Sequence, residues 1–524
     1  MKKDQLIPSF LLNVSKDDLK KCHNDYSENK SLWKRCMAVY KGLDQIVKGG
    51  YIQQHEREPD ISYKRRLKEL YFFNYSESVV NIFTHYLMQK PPQGRKLQPL
   101  EKNDFWKMFF QDADLFGNSY DEVISFLVLN SAIQGHMGVL VDKPSIELLN
   151  QAQEKEQRIY PYLSIYHSLA ILDWSFEKNQ FGRPELVYLK LLDDNEDIRI
   201  WTKEYWVVYR IDQNEDNQNN QDNQDNQNGI EIDKSIKLID YGENPLGFVP
   251  FVWFYNLKTD KNCIGKSDLK EISRIDISLI KNGSQIEEII NYAAFPMMMK
   301  PRRDVDPKKS GTQQSDEVGV QSVLEYDPEF PESKPAWLTP EVKEAIDSVI
   351  SVMKFKVSEI YRAANIGGLA ATEISKQAKS GTALKSEFQI LNSTIVSKAI
   401  NTEKAENKIL EIWLKWQKLY DQYGSEVHFG RAKSFNIEDL ATDLENALTA
   451  KTIVLSKTFD ALLQKQTVKQ VLPSISEDDQ NTIDKEIDES IKNFESDLLD
   501  NINNPEKFGT PGTGQIIKTG MESN

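Results

Sequence analysis

Gly265-Lys266-Ser267 is the tripeptide in this sequence nearest to a phosphate-binding loop, since it follows an apolar strand-like run, FVPFVWFY, and precedes a helical one. In GxxxxGK[ST] the first glycine would fall at position 260, where Asp260 would set a carboxylate against phosphate. No apolar strand ending in a metal-binding acid follows downstream, so Lys266 is not read as a nucleotide ligand. Gly265 is read as the turn that starts a helix, with Ser267 as its N-cap. The six histidines (His23, His55, His85, His136, His167, His428) form no HExxH and no tight cluster with acids. Cys22, His23 and Cys36 lack a fourth zinc ligand, and no GxSxG elbow occurs. No catalytic residue, metal or cofactor is therefore assigned, and the chain is not expected to be an enzyme. The segment 362–379, RAANIGGLAATEISKQAK, joins Gly367 and Gly368 to the cations Arg362, Lys376 and Lys379. It reads either as a loop that touches a phosphate backbone or as a plain interhelical connection.

Composition bounds what such residues can serve. At 524 residues the chain exceeds what one hydrophobic core supports, so several domains are expected. A net charge of -15 argues against tight, sequence-specific binding of nucleic acid, which rests on lysine and arginine displacing counterions. It remains compatible with holding DNA loosely. No apolar run of ~20 residues is present to span a membrane. The N-terminal stretch is broken by Pro8 and Asn13, so a secretory signal is not expected. Cys22, Cys36 and Cys263 make no disulfide framework, which fits a reducing compartment.

The positioning elements are mostly helical up to residue 135. Tyr63, Leu67, Leu70, Tyr71, Val80, Phe83 and Leu87 recur at helical spacing until Lys90-Pro91-Pro92, and a second helix starts near Asn118 with Asp121 and Glu122 in its first turn. From Gly135 on, short runs rich in valine, isoleucine, tyrosine and tryptophan predict a meander of antiparallel strands. The run 213–228, made only of asparagine, glutamine, aspartate and glutamate, predicts a disordered, solvated hairpin tip.

A stalk follows. One helix is predicted over 267–291, with Leu269, Ile272, Ile275, Leu279, Ile286 and Ile290 on its stripe. A return helix over 339–361 carries Val342, Ile346, Val349, Ile350, Met353, Val357 and Ile360, with Thr339-Pro340 as its start signal. If the insert between them caps one end, the two run antiparallel. Ile277, Ile289, Val352 and Phe355 lie off the stripes and call for a further partner, either within a large monomer or on neighbouring copies in a ring. After the Gly367-Gly368 break a long helix is predicted over 380–420, then a strand over 427–435 and helices over 437–461 and around Ile483, Ile487 and Ile491.

Several short motifs, in this order, resemble those of tailed-bacteriophage portal proteins, the head-to-tail connectors. They are the helix closing on Lys90-Pro91-Pro92; Pro161-Tyr162-Leu163 with Tyr166 and Ile171-Leu172-Asp173-Trp174; Pro245-Leu246-Gly247-Phe248-Val249-Pro250-Phe251 followed by Gly265-Lys266-Ser267-Asp268-Leu269; and Ser380-Gly381-Thr382-Ala383-Leu384-Lys385. The resemblance covers nearly the whole chain and implies an α+β multidomain fold. Its parts would be a wing with a helical portion (1–135) and an antiparallel β portion (136–255), a first stem helix (256–292), a small α/β clip (293–338) and a second stem helix (339–362). A tunnel loop (363–379), a long wing helix (380–423), a wing return (424–466), a helical crown (467–500) and a flexible tail (501–524) would complete it. It also implies a ring of identical subunits, usually twelve, at a capsid vertex of the virion, assembled in the host cytoplasm. Double-stranded DNA would pass through that ring. Arg362, Gly367, Gly368, Lys376 and Lys379 would face the DNA. Met297, Met298, Lys300, Arg302 and Arg303 would dock the terminase large subunit and later a head-tail adaptor, and major capsid and scaffolding proteins would be further partners. The alternatives are a P-loop ATPase of the packaging machinery and a non-ring minor capsid or adaptor protein.

Overall fold

The structure, a computed structural model, describes residues 14–89, 92, 94–144, 151–211, 236–294, 297–299, 336–338, 342–366, 381–433, 435 and short stretches between 461 and 489. The chain falls into two compact units, Met1–Phe435 and Asn436–Asn524. The first opens with helices α1 (Lys16–Lys20), α2 (Asn24–Lys41), α3 (Leu43–Lys48), α4 (Asp60–Glu69), α5 (Tyr75–Gln89), α6 (Asp104–Gln111) and α7 (Tyr120–Gln134). The continuous apolar period over 61–88 is two helices, because the chain leaves helical geometry at Leu70 and turns at Asn74, with φ of 39°. Ser119 and Glu122 start α7 with a reciprocal capping box, and Gly135 ends it at φ of 97°.

The strands do not form one meander. β3 (Ile171–Lys178), β4 (Pro184–Leu192), β5 (Ile198–Thr202), β6 (Tyr205–Ile211) and β7 (Ile236–Glu243) make a five-stranded antiparallel sheet in sequence order. β1 (His136–Asp142) instead lies between β2 (Tyr162–His167) and β8 (Phe251–Tyr255) in a separate three-stranded sheet, so the start and end of the β region pair with each other. A short helix, α8 (Gln151–Glu156), interrupts the run. The tip at 213–228 lies outside the described residues.

Beyond β8, the two-residue strands β9 (Leu257–Lys258) and β10 (Gly265–Lys266) pair and lead into α9 (Ile272–Ala294). β11 (Met297–Met299), β12 (Ala336–Leu338), α10 (Lys343–Ala363), α11 (Gly381–Trp416) and α12 (Tyr420–Tyr423) complete the first unit. Thr339-Pro340 lies outside the described residues. The expected strand over 427–435 is not formed; among the described residues only an isolated bridge joins Lys96 to His428. One large core gathers α5, α6, α7, β1 and α11, with Trp106, Tyr120, Trp413 and Phe429 stacked edge and face at its centre. In the second unit, residues 479–489 are helical with Ile483 and Ile487 half-buried, and Asp488 pairs with Lys465 at 2.7 Å. The expected helix over 437–461 lies almost wholly outside the described residues, as does the tail.

Candidate assembly interface

α9 and α10 are antiparallel. β11 pairs antiparallel with β12 just past their far ends, while Lys356 midway along α10 bonds to Ser278 and Asn282 of α9. At 1.5 Å per residue, the 23 and 21 residues give shafts about 34 and 32 Å long.

The foot of this hairpin is fixed by buried polar contacts. Ser267 is not the N-cap of α9, which starts five residues on; its hydroxyl donates to the Ile133 carbonyl at 2.6 Å and accepts from the Leu269 amide at 3.0 Å. Asp268 forms a buried ion pair with Lys398 of α11 and accepts from the Asn256 side chain at 2.8 Å. Burial pulls the Lys398 ammonium below its usual pKa, and the Asp268 carboxylate opposes that pull. Asp276 accepts from both the amide and the hydroxyl of Ser76, at 2.9 and 2.6 Å, at the start of α5. Burial still raises its carboxyl pKa. Further along, Arg66 of α4 bonds Glu58 at 2.7 Å and reaches Glu288 of α9 at 3.6 Å. The Arg66 hydrogen bonds hold Glu58 down at about 2.

Ile346, Val349, Met353 and Val357 face the partner helix half-buried, and Ile360 alone in α10 is fully buried. The outer side presents Val352 (47% exposed) and Phe355 (65% exposed), while Ile350, expected on the inner stripe, is exposed at its edge. Ile277 does not belong with them. It is buried within this chain against Val39, Ile46, Ile52, Leu70 and Ile280, because α2 to α4 cover the face of α9 that periodicity alone leaves open. Ile289 is half-buried, whereas Ile290, expected on the inner stripe, is exposed. The exposed apolar set is thus Ile290, Ile350, Val352 and Phe355.

The other singled-out residues are placed unevenly. Arg362 is exposed in the last turn of α10, and both oxygens of Glu359 hold its guanidinium at 2.6 to 3.0 Å. Its charge is locally matched rather than free. Gly367, Gly368, Lys376 and Lys379 lie outside the described residues, as do Lys300, Arg302 and Arg303. Met297 and Met298 lie in β11. Gly265-Lys266 is a strand whose backbone abuts Gly135, with no long helix starting at the lysine as phosphate binding requires. Among the described residues no group of three or more histidine, cysteine, aspartate or glutamate side chains could hold a metal ion. No described helix is long and apolar enough to cross a membrane.

No family model and no curated protein matches this sequence. Among solved structures, a chain of the virion of a native gene transfer agent particle is 10% identical with a TM-score of 0.39, over 74% of this chain and 89% of that one. A chain from the neck of the empty particle, computed with C6 symmetry, is 10% identical with a TM-score of 0.42, over 82% and 98%. One from the neck of the native particle, computed with C12 symmetry, is 8% identical with a TM-score of 0.36, over 78% and 89%.

Proposed function

We propose that this chain is the ring-forming subunit of a portal-like head-to-tail connector in a tailed-phage particle, the channel through which double-stranded DNA is packaged and later ejected. The observation that carries the reading is the outward face of α10, where Val352 and Phe355 stand in water on a helix pair whose foot is firmly held. Large exposed apolar side chains in one patch mark contact surfaces. Covering this patch with the next copy, about an axis, gives a heterologous contact that closes into a ring when the rotation divides a full turn. The ordered motifs from Lys90-Pro91-Pro92 to Ser380-Gly381-Thr382 support the same family.

The role under this reading is mechanical and not enzymatic. An acidic wall repels phosphate, so DNA finds no deep specific well along it, and Lys376 and Lys379 steady it at the narrowest point. The segment around Met297, Met298, Lys300, Arg302 and Arg303 docks the terminase large subunit and then a head-tail adaptor, with major capsid protein and scaffold as outer neighbours.

Light scattering and negative-stain images of the purified chain are expected to give a closed particle of roughly twelve copies with a central hole. Replacing Val352 and Phe355 with lysine should return it to single chains with unchanged helix content. A wild-type chain that stays monomeric at high concentration sinks the ring and leaves a non-ring adaptor. Calorimetry should find no ATP binding that depends on Lys266. Unchanged DNA retention in a Lys376→Glu, Lys379→Glu double variant would refute the steadying role alone.

A further inference from the structure

The turn between α6 and α7 carries Leu115-Phe116 in its middle, both exposed, with Phe116 88% exposed. Nothing in the fold gains from an aromatic ring in water there. Leu115 also takes φ of 64°, a region that disfavours a branched side chain and favours glycine or asparagine.

Yet the turn is tightly held. The Asp114 carboxylate accepts from the Phe116 amide at 3.0 Å and from the Asn118 side chain at 2.7 Å. The Asp112 carboxylate accepts from the Gly117 amide at 2.9 Å. Ala113, fully buried, donates to the Asn118 carbonyl at 2.8 Å and accepts from Leu163 at 2.7 Å, while the Tyr160 hydroxyl donates to the Asp112 carbonyl at 3.0 Å. An exposed aromatic on a backbone already fixed loses little further freedom on contact, as an interface anchor requires.

Its surroundings are acidic. Asp112 and Asp114 lie in the turn, and the exposed Asp121 and Glu122 open α7 beside it. Two cations lie near it: Arg95 is directed to Asp121 at 3.7 Å and lies over the Phe110 and Phe429 rings, and Arg158 is close enough to the Tyr160 hydroxyl to act on it, so the acid in the rim outnumbers the base without being alone. Such a rim repels nucleic acid and anionic lipid, and it is matched by a protein surface that is itself locally basic. We propose that Leu115-Phe116 is a docking knob for a different protein, one that offers an apolar recess edged with lysine or arginine.

The test is photo-crosslinking from benzoylphenylalanine placed at Phe116 in the full-length chain, in the cells that naturally make it, with Phe181, exposed on the β3–β4 turn, as the control site. The expected product joins position 116 to a different protein, within an apolar segment flanked by basic residues. Asp121→Lys should lower the yield several-fold by reversing the rim. Asp114→Ala, which keeps Phe116 but frees the turn, should lower it about tenfold. Products with another copy of this chain, with nucleic acid or with lipid, or a yield no higher than from Phe181, overturn the inference. Phe116→Ser should leave the mass of the self-assembled particle unchanged, so this inference and the ring can fail separately.

Discussion

Glu406 and Arg431 show what a single buried charge does here. Glu406 is fully buried, and its two oxygens accept from the Arg431 guanidinium, both at 2.7 Å, beneath the Tyr120–Phe429 stack. Removing one member strands the other in the core, so Arg431→Ala should lower unfolding free energy by about 3–5 kcal/mol in urea titration. His136 is neutral in the fold, since burial pulls it down to about 3. In the unfolded chain an ordinary histidine takes its proton near ~6.5. Between those values only the unfolded state binds that proton, so stability should fall as pH drops through this window. Urea midpoints from pH 7 to 4 should trace the fall, with a shallower slope in His136→Asn. At this scale the sequence was partly legible. Lys398 and Glu406 sit at the inward phase of α11, each three residues from a buried isoleucine, Ile395 and Ile409, and a charge on an apolar stripe is itself a signal. Their partners Asp268 and Arg431 come from other segments, and no local pattern names them.

The elements were more legible than their pairing. Helical period located α5, α7, α9, α10 and α11, because one-sided burial forces that spacing on each helix separately. Which strand meets which depends on chain closure: β1 finds β8 over a hundred residues away, and among the described residues the strand-like segment after Val427 makes one β-bridge, to Lys96. The junction of α7 with β10 depends on two glycines. Gly135 needs its φ of 97°, and a Cβ on Gly265 would come within 1.9 Å of the Gly135 carbonyl oxygen. Gly265→Ala must therefore push β10 away and loosen the foot of α9. The expected outcome is a drop in Tm far beyond that from Gly182→Ala, where a methyl group meets open space and only the φ of 73° resists it.

At the scale of the whole molecule, the four clusters of buried apolar side chains among the described residues lie before residue 436. A chain ended after Phe435 should keep a cooperative melt close to that of the full protein by circular dichroism, and loss of that transition would show that the second unit supports the first. The ring predicted above also belongs to this scale, and it was only half legible. Periodicity marked Ile277, Val352 and Phe355 alike as off-stripe; only the course of α2 to α4 decides that the first is covered and the others are not. The hairpin of α9 and α10 is anchored at Asp268 and Asp276 and steadied as far as Glu288, while α10 before Ile360 has no fully buried residue. It is a beam clamped at one end. A load applied at its tip is felt as a bending moment at the Asp268–Lys398 pin, so whatever grips the tip has leverage on the long helix α11 and, through it, on the central core.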